Sequence, residues 1–313
     1  MISFDRLKLV TDSQYVTNLN QSCFLRIPRK NGDFYYKYQQ DKPFLLVMVV
    51  HPDRQELTIE FTGKILQDDY PNLINLTNIR DCLEQIRNMK LCDLNIDAIV
   101  QDSRVCLCDV TKDIICKYPM KDIKSHIKES ITNYDKWLVR KCQNGGVEIY
   151  NSITTKKRFK RLVIYDKHLE LQRTENRCFL NAINNPERLL QYFEGKIRVE
   201  LNLRSMLMIR QMLNIPDNTL VNVLNSTANP ILKMYDLAIN ENCISTSTIY
   251  NKPDKLALLE QCNYDLQAVE MRLRAATPRT SSISRKMEPY RKLLQDIQTS
   301  GQPPMNIRDL IEG

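Results

Sequence analysis

The chain has 313 residues, of which 26% are charged, and a formal net charge of +8. A basic excess of this size favours a polyanionic partner, and nucleic acid is the commonest such partner of basic proteins. Only 7 residues are glycine, and neither G-x-x-x-x-G-K-[ST] nor G-x-G-x-x-G occurs, which argues against a P-loop ATPase and a dinucleotide-binding enzyme.

Apolar repeats of period 2 and period 3.6 predict the elements along the chain. In the first 215 residues these are a hairpin turn at 29–33, strands at 44–50 and 57–62, a helix at about 75–89, a strand at 103–111, a helix at about 120–140, a hairpin of strands 147–153 and 159–165, a helix at 186–193 and a strand at 196–204. After Ile215-Pro216 the pattern is helical, and residues 277–286 read as a basic, Ser/Thr-rich linker.

These elements predict an α+β fold with a mainly antiparallel central sheet flanked by helices. We expect a first domain at residues 1–215 and an α-helical C-terminal region at 216–313. The ten cysteines include no C-x-x-C, no signal-peptide pattern is present, and the longest apolar run, Phe44–Val50, has only the length of a strand. We therefore expect a cytoplasmic protein with reduced thiols, without structural zinc and without a membrane partner.

The segment Phe159–Gln172 is the first candidate for a functional site. It begins as an alternating strand that places Arg161, Val163 and Tyr165 on one face, and several charged residues follow the tyrosine. A phenol that attacks a phosphodiester needs rigid placement and nearby cations, and this segment can supply both. The structural alternative is a tyrosine that packs its ring on the charged start of a helix.

Three other predicted strands carry an acidic residue that could meet this tyrosine. Glu60 and Glu200 lie on the face opposite the apolar side chains of their strands, whereas Asp109 shares the parity of Val105 and Leu107. If the strands are neighbours, the three carboxylates converge on an oxygen-rich site that suits Mg²⁺ or Mn²⁺. For each acid alone, a solvated sheet face is the alternative.

Residues 162–172, which read Leu-Val-Ile-Tyr-Asp-Lys-His-Leu-Glu-Leu-Gln, resemble the nucleophile segment of the filamentous-phage gene II and related plasmid replication initiators. Segments 58–67, 103–111 and 197–204 resemble three further blocks of that family in the same order, so the resemblance covers roughly residues 57–216. The family consists of rolling-circle replication initiators. They are similar in logic to the HUH tyrosine endonucleases but lack the two-histidine metal motif, and this chain lacks that motif as well.

The resemblance implies a metal-dependent enzyme that nicks origin DNA, becomes joined to the 5′-phosphate through tyrosine, frees a 3′-OH primer and later rejoins the ends. Tyr165 is the implied nucleophile, with Lys167 and His168 as the basic pair beside it. The implied acidic positions, taken as ligands of Mg²⁺ or Mn²⁺, are Glu60, Asp109 and Glu200. His51 is a further candidate for a metal ligand, with a solvated residue in a turn as the alternative. Tyr150 is a candidate for a second nucleophile, with a purely structural role as the alternative.

Basic side chains near the tyrosine are candidates for phosphate contacts, which position DNA without reading its sequence. The candidates are Lys156, Lys157, Arg158, Lys160, Arg161, Arg173 and Arg198. The expected partners are origin DNA, as a single strand or a supercoiled duplex, and with it a host helicase and a single-strand-binding protein. A dimer is compatible with this function, but no residue pattern indicates one.

Two other classes of protein stay open. A non-catalytic, basic DNA-binding protein that regulates replication or copy number would need neither Tyr165 nor a metal. A relaxase or transposase would use the same tyrosine chemistry on another substrate, although relaxases usually carry the histidine motif that is missing here. A covalent adduct between tyrosine and DNA would separate the enzymes from the regulator.

Overall fold

The computed structural model describes residues 2–132, 136–142, 145–151, 160–240, 253–276, 283–300 and 306–313. The chain falls into two compact units, the first made of Met1–Lys124, Thr132–Ala238 and Arg308–Gly313, and the second of Ser125–Ile131 and Ile239–Ile307. The first unit therefore continues past residue 215, where we placed the end of the first domain. No helix among the described residues is long and apolar enough to cross a membrane.

Antiparallel strands dominate the first unit. In chain order they are β1 (Phe4–Asp12), β2 (Val16–Thr17), β3 (Leu25–Pro28), β4 (Phe34–Gln40), β5 (Leu46–His51), β6 (Glu56–Thr62), β7 (Asp93–Leu94), β8 (Arg104–Ile115), β9 (Trp137–Lys141), β10 (Val147–Asn151), β11 (Arg161–Asp166) and β12 (Lys196–Leu203). Within the described residues, ten of them form one sheet in the order β3-β4-β5-β6-β1-β8-β12-β11-β10-β9, and β2 pairs with β7. Every neighbouring pair is antiparallel.

Helices flank this sheet and make up the C-terminal part of the chain. The described helices are α1 (Ile79–Asn88), α2 (Ile96–Asp102), α3 (Met120–Glu129), α4 (Lys167–Leu171), α5 (Arg177–Leu180), α6 (Pro186–Phe193), α7 (Met206–Leu213), α8 (Leu220–Leu224), α9 (Pro230–Ala238), α10 (Pro253–Gln261), α11 (Leu266–Ala276), α12 (Ile283–Ser300) and α13 (Ile307–Glu312). The predicted fold class, α+β with a mainly antiparallel sheet and a helical C-terminal region, is confirmed.

The sheet has an apolar face and a polar face, because side chains alternate along each strand. On β12, every second residue from Ile197 to Leu203 is apolar and buried, and Glu200 lies on the opposite face, as predicted. On β6, Leu57, Ile59 and Phe61 are fully buried in the same way. Helix α7 contacts β8, and helix α9 contacts β8, β11 and β12. Burial of apolar area at about 25 cal/mol per Å² makes this face the main stabilising layer of the unit.

A bulge in β8 alters the face on which its residues lie. The pairing of β1 with β8 steps from Leu107 to Val105, so Cys106 is an extra residue. Val105 is consequently buried in the core, whereas Leu107 and Asp109 lie on the polar face. The prediction that all three share one face is therefore wrong for Val105, because strict alternation does not allow for a bulge.

Two predicted boundaries also differ from the structure. The helix predicted over residues 120–140 ends at Glu129, and β9 follows and pairs with β10 at the edge of the sheet. The isoleucine spacing that indicates the helix ends at Ile131, and residues 137–141 gain their hydrogen bonds by pairing with the next strand, β10. In the predicted linker 277–286, α12 already begins at Ile283, and residues 277–282 lie outside the described residues.

The second unit has a small apolar core of its own. Leu259, Cys262 and Val269 from the region of α10 and α11 pack with Met287 and Leu293 of α12. All five side chains are buried. This cluster gives the helical unit packing energy of its own.

Candidate active site

The polar face of the sheet carries its largest group of buried charges where β11, β12 and β8 are neighbours. The register pairs Tyr165 with Arg198 and Arg198 with Asp113, so these three residues form one row across the strands. Glu200 lies in the next row, between Val163 and Thr111. Residues two apart in a strand share a face, so the alternating sequence of β11 and β12 places Tyr165 and Glu200 on the same side.

Tyr165 is fixed at the point where β11 ends and α4 begins. The side chain of Asp166 accepts a hydrogen bond from the backbone N–H of Leu169 and so caps α4. The Tyr165 side chain is buried, and its hydroxyl donates a 2.5 Å hydrogen bond to Oε1 of Glu200. Burial, followed by the negative charge of Glu200, raises the pKa of Tyr165 well above its ordinary value. A base must therefore take the phenolic proton if this oxygen is to act as a nucleophile.

Glu200 has the properties of such a base. Burial, followed by the negative charge of Asp5, raises the pKa of Glu200 to about 7. A carboxylate with a pKa near the ambient pH can accept a proton and release it again, which is what general base catalysis requires. The structure thus places Glu200, which we predicted as a metal ligand, in direct hydrogen-bonding contact with the predicted nucleophile.

The other two predicted metal ligands have partners of their own. Glu60 accepts hydrogen bonds from Arg6, and its Oε2 lies 3.2 Å from Nζ of Lys8. Burial alone would raise the pKa of Glu60, but the hydrogen bond and charge of Arg6 and the charge of Lys8 lower it. Asp109 accepts a 2.8 Å hydrogen bond from Nδ2 of Asn202, and burial raises its pKa to about 6.

These positions do not assemble the predicted three-carboxylate metal centre. Strand β1 separates Glu60 from Asp109 by about 10 Å across the sheet, whereas Asp109 and Glu200 are diagonal neighbours on β8 and β12. Among the described residues, no group of three or more His, Cys, Asp and Glu side chains could hold a metal ion. His51 does not extend the set, because its Nδ1 accepts a 2.5 Å hydrogen bond from Arg29.

Lys167 lies beside the nucleophile and is itself buried. Its Nζ is 5.6 Å from the centroid of the Tyr165 ring and donates a 2.6 Å hydrogen bond to Oε2 of Glu170. Burial alone would raise the pKa of Glu170, but the charges of Lys167 and then Lys64 lower it to about 2. Lys167 therefore lies close to the tyrosine, as predicted, and the carboxylate of Glu170 balances its charge.

His168 points to different partners from Lys167, because successive helical residues project about 100° apart. Its Nδ1 donates a 2.9 Å hydrogen bond to the carbonyl of Leu190 in α6, and its Nε2 accepts a 2.7 Å hydrogen bond from the amide of Gln172. The bond to Leu190 joins α4 to α6. His168 lines neither of the cavities beside Tyr165, so the catalytic role predicted for it does not match its contacts.

Arg198 is not the DNA contact that we predicted, because its side chain is fully buried. It donates hydrogen bonds of 2.7 and 2.8 Å to the two carboxylate oxygens of Asp113, one of 3.1 Å to Asp5 and one of 2.5 Å to the hydroxyl of Tyr70. Its guanidinium also lies 5.2 Å from the ring centroid of Phe193. Alternation correctly places Arg198 on the polar face, but it does not indicate that Tyr70 and α6 cover the face at this point.

The polar face beside Tyr165 opens into a cavity of about 720 Å³, whose lining holds four basic and four acidic residues. The residues that line it include Tyr165 and Glu200 together with the basic residues Arg140, Lys141, Arg161 and Arg173. A smaller cavity, of about 250 Å³, reaches the same two residues from the side of Lys64 and Lys167. Two of the predicted phosphate contacts, Arg161 and Arg173, therefore lie at the site.

Lys160, another predicted phosphate contact, lines neither of these cavities. It comes directly before β11, at a position that by alternation belongs to the apolar face of the strand. Burial, and then the positive charges of Lys136 and Lys233, lower its pKa. The hairpin tip with Lys156, Lys157 and Arg158 lies outside the described residues. Tyr150 pairs with Arg161 and so shares the polar face, with the Arg140 guanidinium 4.9 Å from its ring centroid.

Sequence reasoning missed several residues of the site. Lys64 donates a 2.5 Å hydrogen bond to Asn176, and Asp5 accepts a 2.8 Å hydrogen bond from Tyr70. Lys64 and Glu170 both fall within segments that resemble the replication initiators, so a signal for these two existed. Asp5 and Tyr70 had no such signal, because only the folded chain brings them to Arg198.

A scan against protein-family models gave no match, and a search of the curated proteins gave none either. The resemblance to the replication initiators consequently depends on the four segments themselves, and the function that it implies stays a prediction.

Proposed function

We propose that this protein is a DNA endonuclease and strand transferase that initiates rolling-circle replication, with Tyr165 as its nucleophile and Glu200 as its general base. The observation that carries the proposal is the 2.5 Å hydrogen bond from the Tyr165 hydroxyl to a carboxyl group with a pKa of about 7. Perturbed carboxyl groups in a cavity are typical of catalytic sites. A tyrosine that only packs at the end of a strand does not require one.

In the proposed step, the Tyr165 oxygen forms a bond to phosphorus while the bond from phosphorus to the 3′-oxygen of the preceding nucleotide breaks. Glu200 accepts the phenolic proton, and the departing 3′-oxygen takes a proton from water to become a 3′-OH primer. One phosphodiester replaces another, so the reverse step can rejoin the ends. That reversal would end a round of replication.

Basic residues of the cavity would compensate the negative charge that develops on the phosphoryl oxygens. Arg161 donates hydrogen bonds to Glu148 at 2.5 Å and to Asn202 at 2.9 Å, which fix its position in the cavity wall. Arg173 makes no ion pair with any other residue in the described part of the chain, so its charge is available to a phosphate. The proposed partner is therefore DNA, as a single strand or a locally opened supercoiled duplex.

A divalent ion stays a predicted cofactor of this reaction. Mg²⁺ or Mn²⁺ would act as a Lewis acid on the phosphoryl oxygens. Because Glu60 is bound to Arg6 and Lys8, we assign no step to a centre of three carboxylates. The groups to which we assign steps are Tyr165 and Glu200.

The deciding experiment is a search for a covalent protein–DNA adduct. The purified protein is incubated with a 3′-labelled pool of randomised single-stranded DNA, and denaturing gels show whether label becomes attached to protein. We expect an adduct with the wild type and none with Tyr165→Phe, which keeps the ring but removes the attacking oxygen. Mass spectrometry should place the nucleotide on residue 165.

Tyr150→Phe is the matched control, since it removes one hydroxyl from the neighbouring strand on the same face. We expect it to form the adduct as the wild type does. An adduct that persists in Tyr165→Phe, or that maps to Tyr150, would refute the assignment. Binding of the DNA pool without any adduct would favour the non-catalytic regulator instead.

A further inference from the structure

Strands β3 and β4 form a ribbon at the outer edge of the sheet, and we call residues 24–40 the aromatic ribbon. Four of the seven residues of β4 are aromatic, namely Phe34, Tyr35, Tyr36 and Tyr38. No residue of β3 or β4 is buried, although alternate residues of the neighbouring β5 are. Edge strands usually carry polar and charged side chains, so a run of partly exposed rings needs an explanation.

Positive charge accompanies these rings. Residues 25–40 contain four basic residues and one acidic residue. The Arg26 guanidinium lies 4.0 Å from the ring centroid of Phe34, and the Arg29 guanidinium lies 5.5 Å from that of Tyr35. Arg29 also pairs with Asp53, but within the described residues Arg26, Lys30 and Lys37 make no ion pair. Each face of the ribbon therefore combines rings with a cation that makes no ion pair among the described residues: Arg26 shares one face with Phe34 and Tyr36, and Lys37 shares the other with Tyr35.

One face of the ribbon continues the polar face that carries Tyr165. Lys37 pairs with Val49, and Val49 pairs with Thr58, whose neighbour on the same face of β6 is Glu60. Glu60 pairs with Lys8 of β1, which leads on to β8 and β12. Six strand spacings separate β4 from β11, which is roughly 29 Å along the sheet. Tyr35, two residues before Lys37, thus faces the same side as the nucleophile, whereas Phe34, Tyr36 and Tyr38 face the opposite side.

We propose that the aromatic ribbon binds single-stranded DNA, with bases stacked on its rings and phosphates against its cations. Unpaired bases expose the π-faces that aromatic side chains stack on, whereas a duplex hides them. The cations match the charge of the phosphate backbone without reading sequence. The inference rests on the proposed function, since it assigns the ribbon to the strand that Tyr165 cleaves.

Fluorescence anisotropy with fluorescein-labelled oligo(dT) tests this binding without any cleavage. Stacking of one base on one ring corresponds to a change in Kd of about 5- to 150-fold, so Tyr35→Ala should weaken binding by a factor in that range. Gln39→Ala is the matched control, because Gln39 is exposed on the same face of β4 but has no ring. Lys37→Ala should reduce the slope of log affinity against log salt by about 0.7.

A second measurement uses the wild type, so that it does not depend on the folding of a variant. Photo-crosslinking to oligonucleotides that contain 5-bromodeoxyuridine should label the tryptic peptide of residues 31–37, which carries three of the rings. Duplex DNA of the same length should compete poorly. Equal binding by Tyr35→Ala and wild type, equal competition by duplex, or crosslinks confined to other peptides would each overturn the proposal.

The outcomes also separate this inference from the proposed function. If Tyr165 forms the adduct but the ring substitutions do not change oligo(dT) binding, the enzyme assignment stands and the ribbon assignment is wrong. If the ring substitutions weaken binding but no adduct ever forms, the ribbon binds DNA for a protein that does not cleave it.

Discussion

Tyr165 and Glu200 lie on neighbouring strands, and the phenolic oxygen is 2.5 Å from a carboxylate oxygen. The register pairs Tyr165 with Arg198, two residues before Glu200, so the contact is a diagonal one between adjacent antiparallel strands. Both residues lie on strands that are joined by a continuous ladder of backbone hydrogen bonds, and neither lies in a loop. The geometry of this pair is therefore set by strand register.

Glu200→Gln should slow adduct formation by roughly 10²- to 10⁴-fold, because the amide can accept the hydrogen bond but cannot take the proton. The wild-type rate should rise with pH as Glu200 ionises, with an inflection near its pKa of about 7 and a plateau above it. The variant should lose that inflection. The measurement is the single-turnover rate of adduct formation from about pH 5 to about pH 9, a range over which Glu200 passes from mostly protonated to mostly ionised.

Asp109→Asn is the control for this experiment, because Asp109 is a buried neighbour that contacts Asn202 and not Tyr165. We expect it to retain the inflection near pH 7. A loss equal to that of Glu200→Gln would mean that the two carboxylates act as one unit, and the general-base role of Glu200 alone would be wrong.

Lys167→Gln should destabilise the protein through Glu170. Because the pKa of Glu170 is lowered from 4.5 to about 2, its stabilising contribution is present above pH 4.5 and is lost as the pH falls through 2. The variant should lose up to roughly 3 kcal/mol of unfolding free energy at pH 7, and its difference from wild type should shrink as the pH falls below 4.5. Urea unfolding at several pH values measures both effects.

An exposed lysine gives the comparison for Lys167. Lys121→Gln removes the same charge from the surface, and we expect a change within about 0.5 kcal/mol at every pH. If the two variants behave alike, the pair of Lys167 and Glu170 contributes nothing to stability.

Arg198→Met should lower the free energy of unfolding by roughly 3–5 kcal/mol, since it leaves the carboxylates of Asp113 and Asp5 without their buried partner. Adding Asp113→Asn should recover part of the loss, because it removes one unpaired charge. The chain's one tryptophan, Trp137, is buried in β9 and reports the unfolding of the first unit by fluorescence.

Arg188→Met, on the exposed side of α6, should change the stability by no more than about 0.5 kcal/mol. A loss as large as that of Arg198→Met would attribute the effect to arginine removal in general. If Asp113→Asn deepens the loss of Arg198→Met, the unpaired-charge explanation does not hold.

Chelation by EDTA should stop adduct formation, with rescue by Mg²⁺ or Mn²⁺, if the cofactor that the resemblance implies takes part. Titration of the metal with Glu60→Gln tests the ligand set separately. An unchanged metal requirement in that variant agrees with the binding of Glu60 by Arg6 and Lys8. Full adduct formation in EDTA would remove the metal from the proposal.

Alternation along single strands was enough to predict the polar face of the sheet. The patterns of β6 and β12 place Glu60 and Glu200 correctly opposite their apolar residues, and the hairpin of β10 and β11 pairs as expected. Strand order is not encoded in such local patterns, so the separation of Glu60 from Asp109 by β1 could not be predicted.

The sequence also did not indicate which residues of the polar face are covered by other segments of the chain. Arg198 has the pattern of an exposed basic residue, yet Tyr70, more than a hundred positions away in the chain, covers it. The buried site around Lys167 likewise depends on Lys64 and Asn176, which come from two different segments. Long-range contacts of this kind decide which polar residues are buried, and no periodicity within one segment reports them.

Neither β3 nor β4 contributes a residue to the two cavities beside Tyr165, and together they end one edge of an antiparallel sheet. A two-stranded hairpin at an edge can be exchanged for another without altering the pairing of β8, β12 and β11. The surface that we assign to strand capture and the chemistry that we assign to Tyr165 are thus separable modules, and a graft of a different hairpin that keeps residues 41–45, which line the smaller cavity, would change the first while leaving the second intact.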